Sequence, residues 1–447
     1  MTFPLRTRRN LADQVLDAAI EHALFGSAPV SIVKSPPGAG KTFLVECAAA
    51  VAVTPPAGMR VVIVTPGVSQ LYDIARRLLQ YRLPRLELAH AQHRVLPSDL
   101  VGRINASNGW NQNLNSGPGV IVTNAHLLAA NFHHLGPNAF DLMILDEAYQ
   151  LAAGDYLQIA YMAPRTLMVG DPGQLHPVNS ADTTNLEASP HKIHWSAPAY
   201  VLDRFSNTPV HGLPVTRRLL PDTSDLVQAA FYRDLPFQSV VEPSERRLRF
   251  HIPGLERGLD DALDAIAAGK SLVAITLPGA APMHEEADLE LSDLIACIAD
   301  RVLLRQAEWI GERVLSEEDI ACIEPHVIAG GAIRDGLRQR GRAGIQVDTV
   351  ERWQGLQMPV SVVRHPLSLP NVPTAFDLEA GRWCVSLSRH QIGCIVVARE
   401  AVHGVIDDYV HGCDTVAAGA RDTTWAGFEA HRMIWNALRD QGRVFAL

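Results

Sequence analysis

Lysine is nearly missing from this chain of 447 residues: Lys34, Lys41, Lys192 and Lys270 are the only four, and arginine supplies the rest of the 39 basic residues. A genomic base-composition bias accounts for that choice. Against 48 acidic residues the net charge is −9, which excludes a polycationic surface that holds nucleic acid nonspecifically and leaves room for a local basic channel. Cysteine is sparse as well. The six, Cys47, Cys297, Cys322, Cys384, Cys394 and Cys413, form no CxxC pair and mostly sit in apolar runs such as WCVSLS and GCIVVA. They exclude a disulfide framework and a zinc ribbon, and buried thiols of this kind point to a reducing compartment, the cytoplasm. Long hydrophobic runs are absent: no stretch approaches the roughly 18 uninterrupted apolar residues of a spanning helix, and MTFPLRTRRN has no apolar core after its basic residues, so neither membrane insertion nor secretion is expected.

What remains is ample material for buried sheets. Apolar residues make up 47% of the chain and charged residues 19%, a globular balance, and the length exceeds what one core usually reaches, so two domains are expected. The first half alternates strand and helix patterns. LADQVLDAAIEHAL at 11–24 has helical spacing, PVSIVKS at 29–35 reads as a strand, and KTFLVECAAAVAV begins a helix directly after a glycine-rich turn. Further strands are expected in MRVVIVTP at 59–66, PGVIVTNAHLLA, DLMILDEA at 141–148 and RTLMVGD at 165–171, giving a mostly parallel sheet with helices on its faces. Residues 85–117 and 179–210 break the rhythm and read as insertions and connections. A second series follows at 271–277, 319–325, 343–350, 359–365 and 391–398, with an amphipathic helix at 291–310. The expected division is a first α/β domain at 1–204, with a small insertion near 85–117, a second at 205–415, and a C-terminal helical tail at 416–447.

Three segments carry chemistry. Ser35, Pro36, Pro37, Gly38, Ala39, Gly40, Lys41 and Thr42 lie between an apolar strand and an apolar helix, the context of a phosphate-binding loop. Gly38 and Gly40 let the backbone close around an anion, Lys41 reaches β and γ phosphates, and the Thr42 hydroxyl ligates magnesium. Next, DLMILDEAYQ carries Asp146 and Glu147 to the C-terminal end of a strand, the edge where ligands collect in open α/β sheets. A solvated turn would explain two adjacent acids alone; with the phosphate loop upstream, Asp146 is assigned to magnesium and Glu147 to the attacking water. Third, GDPGQLHP at 170–177 ends another strand at the same edge, and the amide of Gln174 is placed to contact both γ phosphate and water. A plain glycine-proline turn is the simpler alternative there.

In this order the segments resemble the core of a superfamily 1 helicase, in the branch that usually translocates 5′ to 3′. Gln14 of LADQ matches the family's adenine-reading glutamine; VTPGVSQ at 64–70 and VTNAHLL at 122–128 resemble segments that touch nucleic-acid backbone, placing Thr65, Ser69 and Thr123 there. In the second half TRRLLPDTSDLVQAAFYRDL resembles the arginine motif, with Arg218 as the finger and Arg217 as its possible substitute. ACIEPH carries His326 where the family usually has an aromatic. VDTVERWQGLQ resembles the motif in which Thr349 touches backbone and Gln354 and Gly355 approach the γ phosphate, and VSLSRH supplies Arg389 to the nucleotide cleft. The resemblance implies two tandem RecA-like parallel-sheet domains with an ATP cleft between them, ATP and Mg2+ as cofactors, and single-stranded DNA, or RNA, as partner. Pro37, Ala39 and the rest of the loop would then hold the nucleotide. Two departures stand out, Ser35 for the first loop glycine and Gln357 where glutamate is common, and the chain lacks the large insertions of bigger helicases.

Trp353 admits two roles, stacking on a base and packing between domains, the second being the simpler. His176 and His326 read as structural, His133 and His134 as surface, and the acidic run at 284–293 as a solvated helix start. Trp425, Phe428, Met433, Ile434 and Leu438 form a stripe along the tail that packs back onto a motor domain or docks a protein partner. Beside unwinding, the sequence leaves open a translocase that does not separate strands, an RNA helicase, and an NTP-driven subunit that remodels protein.

Overall fold

The computed structural model describes residues 5–91, 93–108, 117–131, 133–177, 186, 189–282, 287–368, 373–410 and 423–447. The described residues divide into two compact units, 5–172 with 176–215, and 173–175 with 216–410 and 423–447. Each is built on one parallel sheet. The division falls at Val215/Thr216 and not at 204/205.

In the first unit eight strands lie in the order β4-β3-β5-β2-β6-β7-β1-β8. They are β1 (Val30–Lys34), β2 (Arg60–Thr65), β3 (Leu86–His90), β4 (Asn105–Asn108), β5 (Gly119–Asn124), β6 (Leu142–Asp146), β7 (Thr166–Gly170) and β8 (Val210–Gly212), all paired in parallel. Period-two alternation divides their side chains between two cores. Val33, Val61, Ile63, Val122 and Leu142 face the helices Leu5–Phe25, Lys41–Val53 and Val68–Leu78. Ile32, Val62, Val64, Ile121 and Met143 face the helices Ala125–Ala130, Ala153–Ile159 and Ala197–Arg204. The strands buried on both faces are therefore the continuous apolar runs visible in the sequence. Three strands were not expected. β3 and β4 lie in the stretch read as an insertion, and β8 begins at the last residue of the stretch read as a connection. β3 places Glu87 and His90 in buried positions, and β4 is only four residues of polar NASN, so neither carries an apolar signature. β8 joins β1 in parallel through Ile32↔Val210, which is why residues 205–215 belong with the first unit.

Beyond the short ladder of β9 (Val215–Thr216) and β10 (Gln238–Ser239), the second unit has a small antiparallel sheet of β11 (Leu248–Phe250), β13 (Ala307–Trp309) and β14 (Arg313–Val314). β13 occupies the end of the segment read as helix 291–310; the helix itself is Leu289–Leu304. The main sheet has the order β16-β15-β17-β18-β12-β19. Its strands are β12 (Leu272–Leu277), β15 (Ile320–Glu324), β16 (Gln346–Thr349), β17 (Met358–Arg364), β18 (His390–Arg399) and β19 (Val444–Ala446), again parallel throughout. Val273, Ile275, Cys322, Val362 and Ile395 bury against the helices Leu259–Ala267, Leu289–Leu304 and Val327–Gln339. Ala274, Ile323, Val363 and Val396 bury against Pro221–Phe231, Ala380–Leu387 and Thr423–Asp440.

The tail is thus part of the second unit and not an appendage. Phe428, Ile434, Trp435 and Leu438 are buried in its core, and the chain then adds β19 at the sheet edge. Trp425, at 40% exposure, packs on Phe428 with the ring centroids 5.6 Å apart. Cys47, Cys297, Cys322, Cys384 and Cys394 are free thiols; Cys413 lies outside the described residues. Among the described residues no helix is long and apolar enough to cross a membrane. Trp435 is fully buried and its indole Nε1 donates to His403 Nδ1 at 3.1 Å, so Trp435→Ala is expected to cost about 3–5 kcal/mol of stability in urea denaturation.

Candidate functional site

The first unit gathers its polar chemistry at the C-terminal ends of β1, β6 and β7. The phosphate loop leaves β1 with the Ser35 amide donating to the Gly170 carbonyl at 2.8 Å, which ties the loop to the end of β7. Gly38 and Gly40 have φ of 71° and 96°, a left-handed conformation that favours glycine. Ser35 is not in that region, so the missing first glycine leaves no strained position behind. The helix Lys41–Val53 starts at Gly40 with no side-chain cap and no acidic residue in its first turn. Its leading amides and dipole therefore face outward as an anion site. Pro37 and Ala39 are buried in the loop wall, and Thr42 is half-buried in the first turn.

Three carboxylates converge on the lysine. Lys41 Nζ forms an ion pair with Glu147, whose side chain is 6% exposed. Glu147 follows β6 with φ 53° and ψ 40°, a left-handed backbone rare outside glycine that costs of order 1–3 kcal/mol. That turn is what swings its carboxylate back over the loop. Burial would lower the Lys41 pKa, but Glu147, Asp146 and Asp171 together outweigh it and raise the ammonium above its usual value. Asp146 is shifted upward as well, which for a carboxyl disfavours the charged form. Burial, opposed by Lys41 and reinforced by Glu147, pushes its carboxyl up to about 6.

Asp171 is the residue that sequence reading passed over. It is 3% exposed immediately after β7, the placement that Glu147 has after β6, where Asp146 is the last strand residue. Gly170 makes the juxtaposition possible: a Cβ there would lie 2.9 Å from the Tyr149 ring and 3.0 Å from the Ala148 amide.

The donor set suits magnesium. Asp146 Oδ1 is buried without a hydrogen-bond partner, and one ammonium among three carboxylates leaves the pocket short of positive charge for a polyphosphate. Among the described residues no group of three or more His, Cys, Asp or Glu is placed to share a metal, so an ion held by Asp146 and Thr42 would draw its remaining ligands from nucleotide and water.

The other expected contacts are distributed differently. Gln14 is exposed on the helix Leu5–Phe25, and Ser69 is exposed in the first turn of Val68–Leu78. Thr65 is buried and its hydroxyl donates to the Gly67 carbonyl at 3.1 Å; Thr123 is fully buried, so neither hydroxyl reaches the surface. Gln174 is buried and groups with the second unit.

Within the second unit the arginines part company. Arg218 donates from Nε to Gln357 Oε1 at 3.1 Å and from Nη1 to the Ser388 carbonyl at 3.0 Å, so the neutral amide that replaces the usual glutamate holds the side chain without cancelling its charge. Arg246 fixes the same turn from behind, its two amino groups donating to the Arg217 and Arg218 carbonyls. Arg217 is exposed.

Arg389, expected at the nucleotide cleft, makes backbone contacts within the second unit. It is 1% exposed, with donors on the carbonyls of Val385, Trp353 and Leu356 at 3.1, 3.3 and 3.4 Å, so it staples the turn after β16. Trp353 is fully buried in the second unit's core, as the packing role has it and not as a ring that stacks on a base. Gln354 is half-buried and Gly355 exposed in the stapled turn, and Thr349 is half-buried at the end of β16.

Residues 12–193 match the family model described as an AAA domain, a span that contains the phosphate loop, both acids after β6 and the turn after β7. No curated protein matches the chain. Among solved structures, the chain is similar to the helicase of PRRSV, with 16% identity and a TM-score of 0.41 over 86% of this chain and 54% of that one. It is similar to arterivirus nonstructural protein 10 (helicase) in complex with DNA, with 14% identity and a TM-score of 0.42 over 87% and 63%. It is also similar to the Escherichia coli DEAH/RHA helicase HrpB, with 12% identity and a TM-score of 0.44 over 88% and 43%. The chain therefore spans less than two thirds of each.

If Arg389 is a staple, Arg389→Ala strands three carbonyls and is expected to destabilise the protein by about 3 kcal/mol, whereas Arg217→Ala stays within about 0.5 kcal/mol, as read from urea midpoints.

Proposed function

We propose that this chain is a magnesium-dependent ATP hydrolase that moves along single-stranded nucleic acid, 5′ to 3′, and separates DNA strands. The observation that carries the reading is the pairing of Lys41 with a strained, buried Glu147 beside Asp146. A phosphate anion competes with Glu147 for the same ammonium. Arrival of the γ phosphate at Lys41 releases the carboxylate to accept a proton from the attacking water, as the bond from phosphorus to the bridging oxygen breaks. Magnesium held by Thr42 and Asp146 supplies charge neutralisation on the phosphate oxygens when bound. Gln14 reads the adenine, Gln174 orients the water, and Gln354 and Gly355 respond to the γ phosphate. Arg218 neutralises charge developing on the transferred group. The nucleic-acid part rests on the order of the sequence segments, with Ser69 and Thr349 as the contacts nearest solvent.

Hydrolysis measured with matched DNA and RNA single strands, followed by strand displacement from 5′ and 3′ overhangs, tests this directly. Stimulation by at least one polymer is expected, with displacement from a 5′ overhang. Glu147→Gln should lower turnover by about 100-fold or more while nucleotide still binds, and Arg218→Ala by about 1,000-fold. Tracking without displacement reduces the activity to translocation, and turnover indifferent to both polymers contradicts the nucleic-acid reading. Unchanged turnover in Glu147→Gln contradicts the role given to that carboxylate.

A further inference from the structure

We infer that His326 and Phe376 form a stacking platform for a base of single-stranded nucleic acid on the second unit; this rests on the nucleic-acid reading above. The platform stands at the C-terminal edge of a parallel sheet, the edge where α/β folds bind ligands. β15 ends at Glu324, which lies in register with Thr349 of the neighbouring β16, and His326 follows two residues later as the cap of helix Val327–Gln339. The His326 side chain is 39% exposed and Phe376 is 40% exposed. Their ring centroids are 5.3 Å apart with the planes 32° from parallel.

Both rings are held in place before any ligand arrives. The Arg382 guanidinium lies 3.7 Å from the Phe376 centroid. Arg382 is itself buried and paired with Glu351 and Glu379, which fixes the guanidinium against the ring. The turn that presents Phe376 is tied by Asp377 Oδ2, which accepts from the Thr374 amide at 2.9 Å and its hydroxyl at 2.6 Å. Asp377 Oδ1 lies 3.7 Å from His326 Nε2. Burial, joined by Arg364 and Arg382 against the opposing Asp377 and Glu351, holds the histidine below its usual value. Val327 and Ile328, 70% and 57% exposed, extend the apolar surface beside it. Two half-exposed rings held by Arg382 and the Asp377 turn, at the end of the strand that pairs with the one bearing Thr349, suit a flat, apolar, sequence-independent ligand face, which is what a nucleobase presents. Trp353, the aromatic that the sequence offered for this task, is buried.

The full chain should be titrated with an oligodeoxythymidylate and with an abasic strand of equal length, read by fluorescence anisotropy. Phe376→Ala is expected to bind the base-bearing strand about tenfold more weakly, to bind the abasic strand as the wild type does, and to regain affinity as Phe376→Trp. His326→Ala should show the same selective loss, which keeps the test independent of how well one variant folds. Equal weakening on both strands, no weakening on either, or failure of Phe376→Trp to restore binding overturns the platform while leaving nucleic-acid binding in place. A wild-type chain that binds neither strand overturns the nucleic-acid reading itself, and the platform with it.

Discussion

Lys41 is surrounded by Glu147, Asp146 and Asp171 in a pocket too buried for water to screen them, and the rest of the first unit is arranged to keep that imbalance in place. Burial, reinforced by the neighbouring Glu147 charge and opposed by Lys41, pushes the Asp146 carboxyl up to about 6. The parallel sheet delivers the groups from three strand ends. Gly170 admits the turn after β6 at van der Waals contact, and the left-handed backbone of Glu147 completes the approach. Such a cluster favours a ligand that carries its own cations, and a metal-bound polyphosphate meets that condition where a bare one does not.

The second unit uses arginine differently. A guanidinium that satisfies carbonyl oxygens fixes backbone without consuming a carboxylate, and three do so around the same turns. Arg389 braces residues 353–356, Arg246 braces residues 217 and 218, and Arg218 spans Gln357 and Ser388. The scarcity of lysine has a local consequence here, because the planar, multi-donor head of arginine suits this bracing better than a point-charge ammonium. From sequence Arg218 and Arg389 both read as facing the nucleotide; Arg389 is buried on backbone carbonyls, whereas Arg218 is half-buried and held by Gln357 and Ser388.

Much of the fold could be read in the sequence because doubly buried parallel strands announce themselves as apolar runs, as in VVIV, LMIL and CIVVA. The strands that escaped are those whose signal is weakest: β3 with Glu87 and His90 turned inward, the four-residue NASN of β4, the three-residue VHG of β8, the two- and three-residue strands β9, β10, β11, β13 and β14, and β19, which follows a helix that looked like the end of the chain's structure. The phosphate loop and the Asp146–Glu147 pair were legible because glycine, lysine and adjacent acids at a strand end have few other uses. Asp171 was hidden inside a glycine-proline turn whose glutamine drew attention first. Aromatic chemistry was misplaced for a related reason: Trp353 adjoins a recognisable motif, whereas the pairing of His326 with Phe376 depends on the chain bringing residues 50 positions apart together, which no local pattern encodes.

The central claim is that the first unit's buried charge makes nucleotide binding depend on a metal. Isothermal titration of the full chain with ATP, in excess magnesium and again in excess chelator, tests it most directly. Binding at least about tenfold tighter with magnesium is the expected result, since three carboxylates repel the uncompensated polyphosphate. Equal affinity under the two conditions would contradict the account.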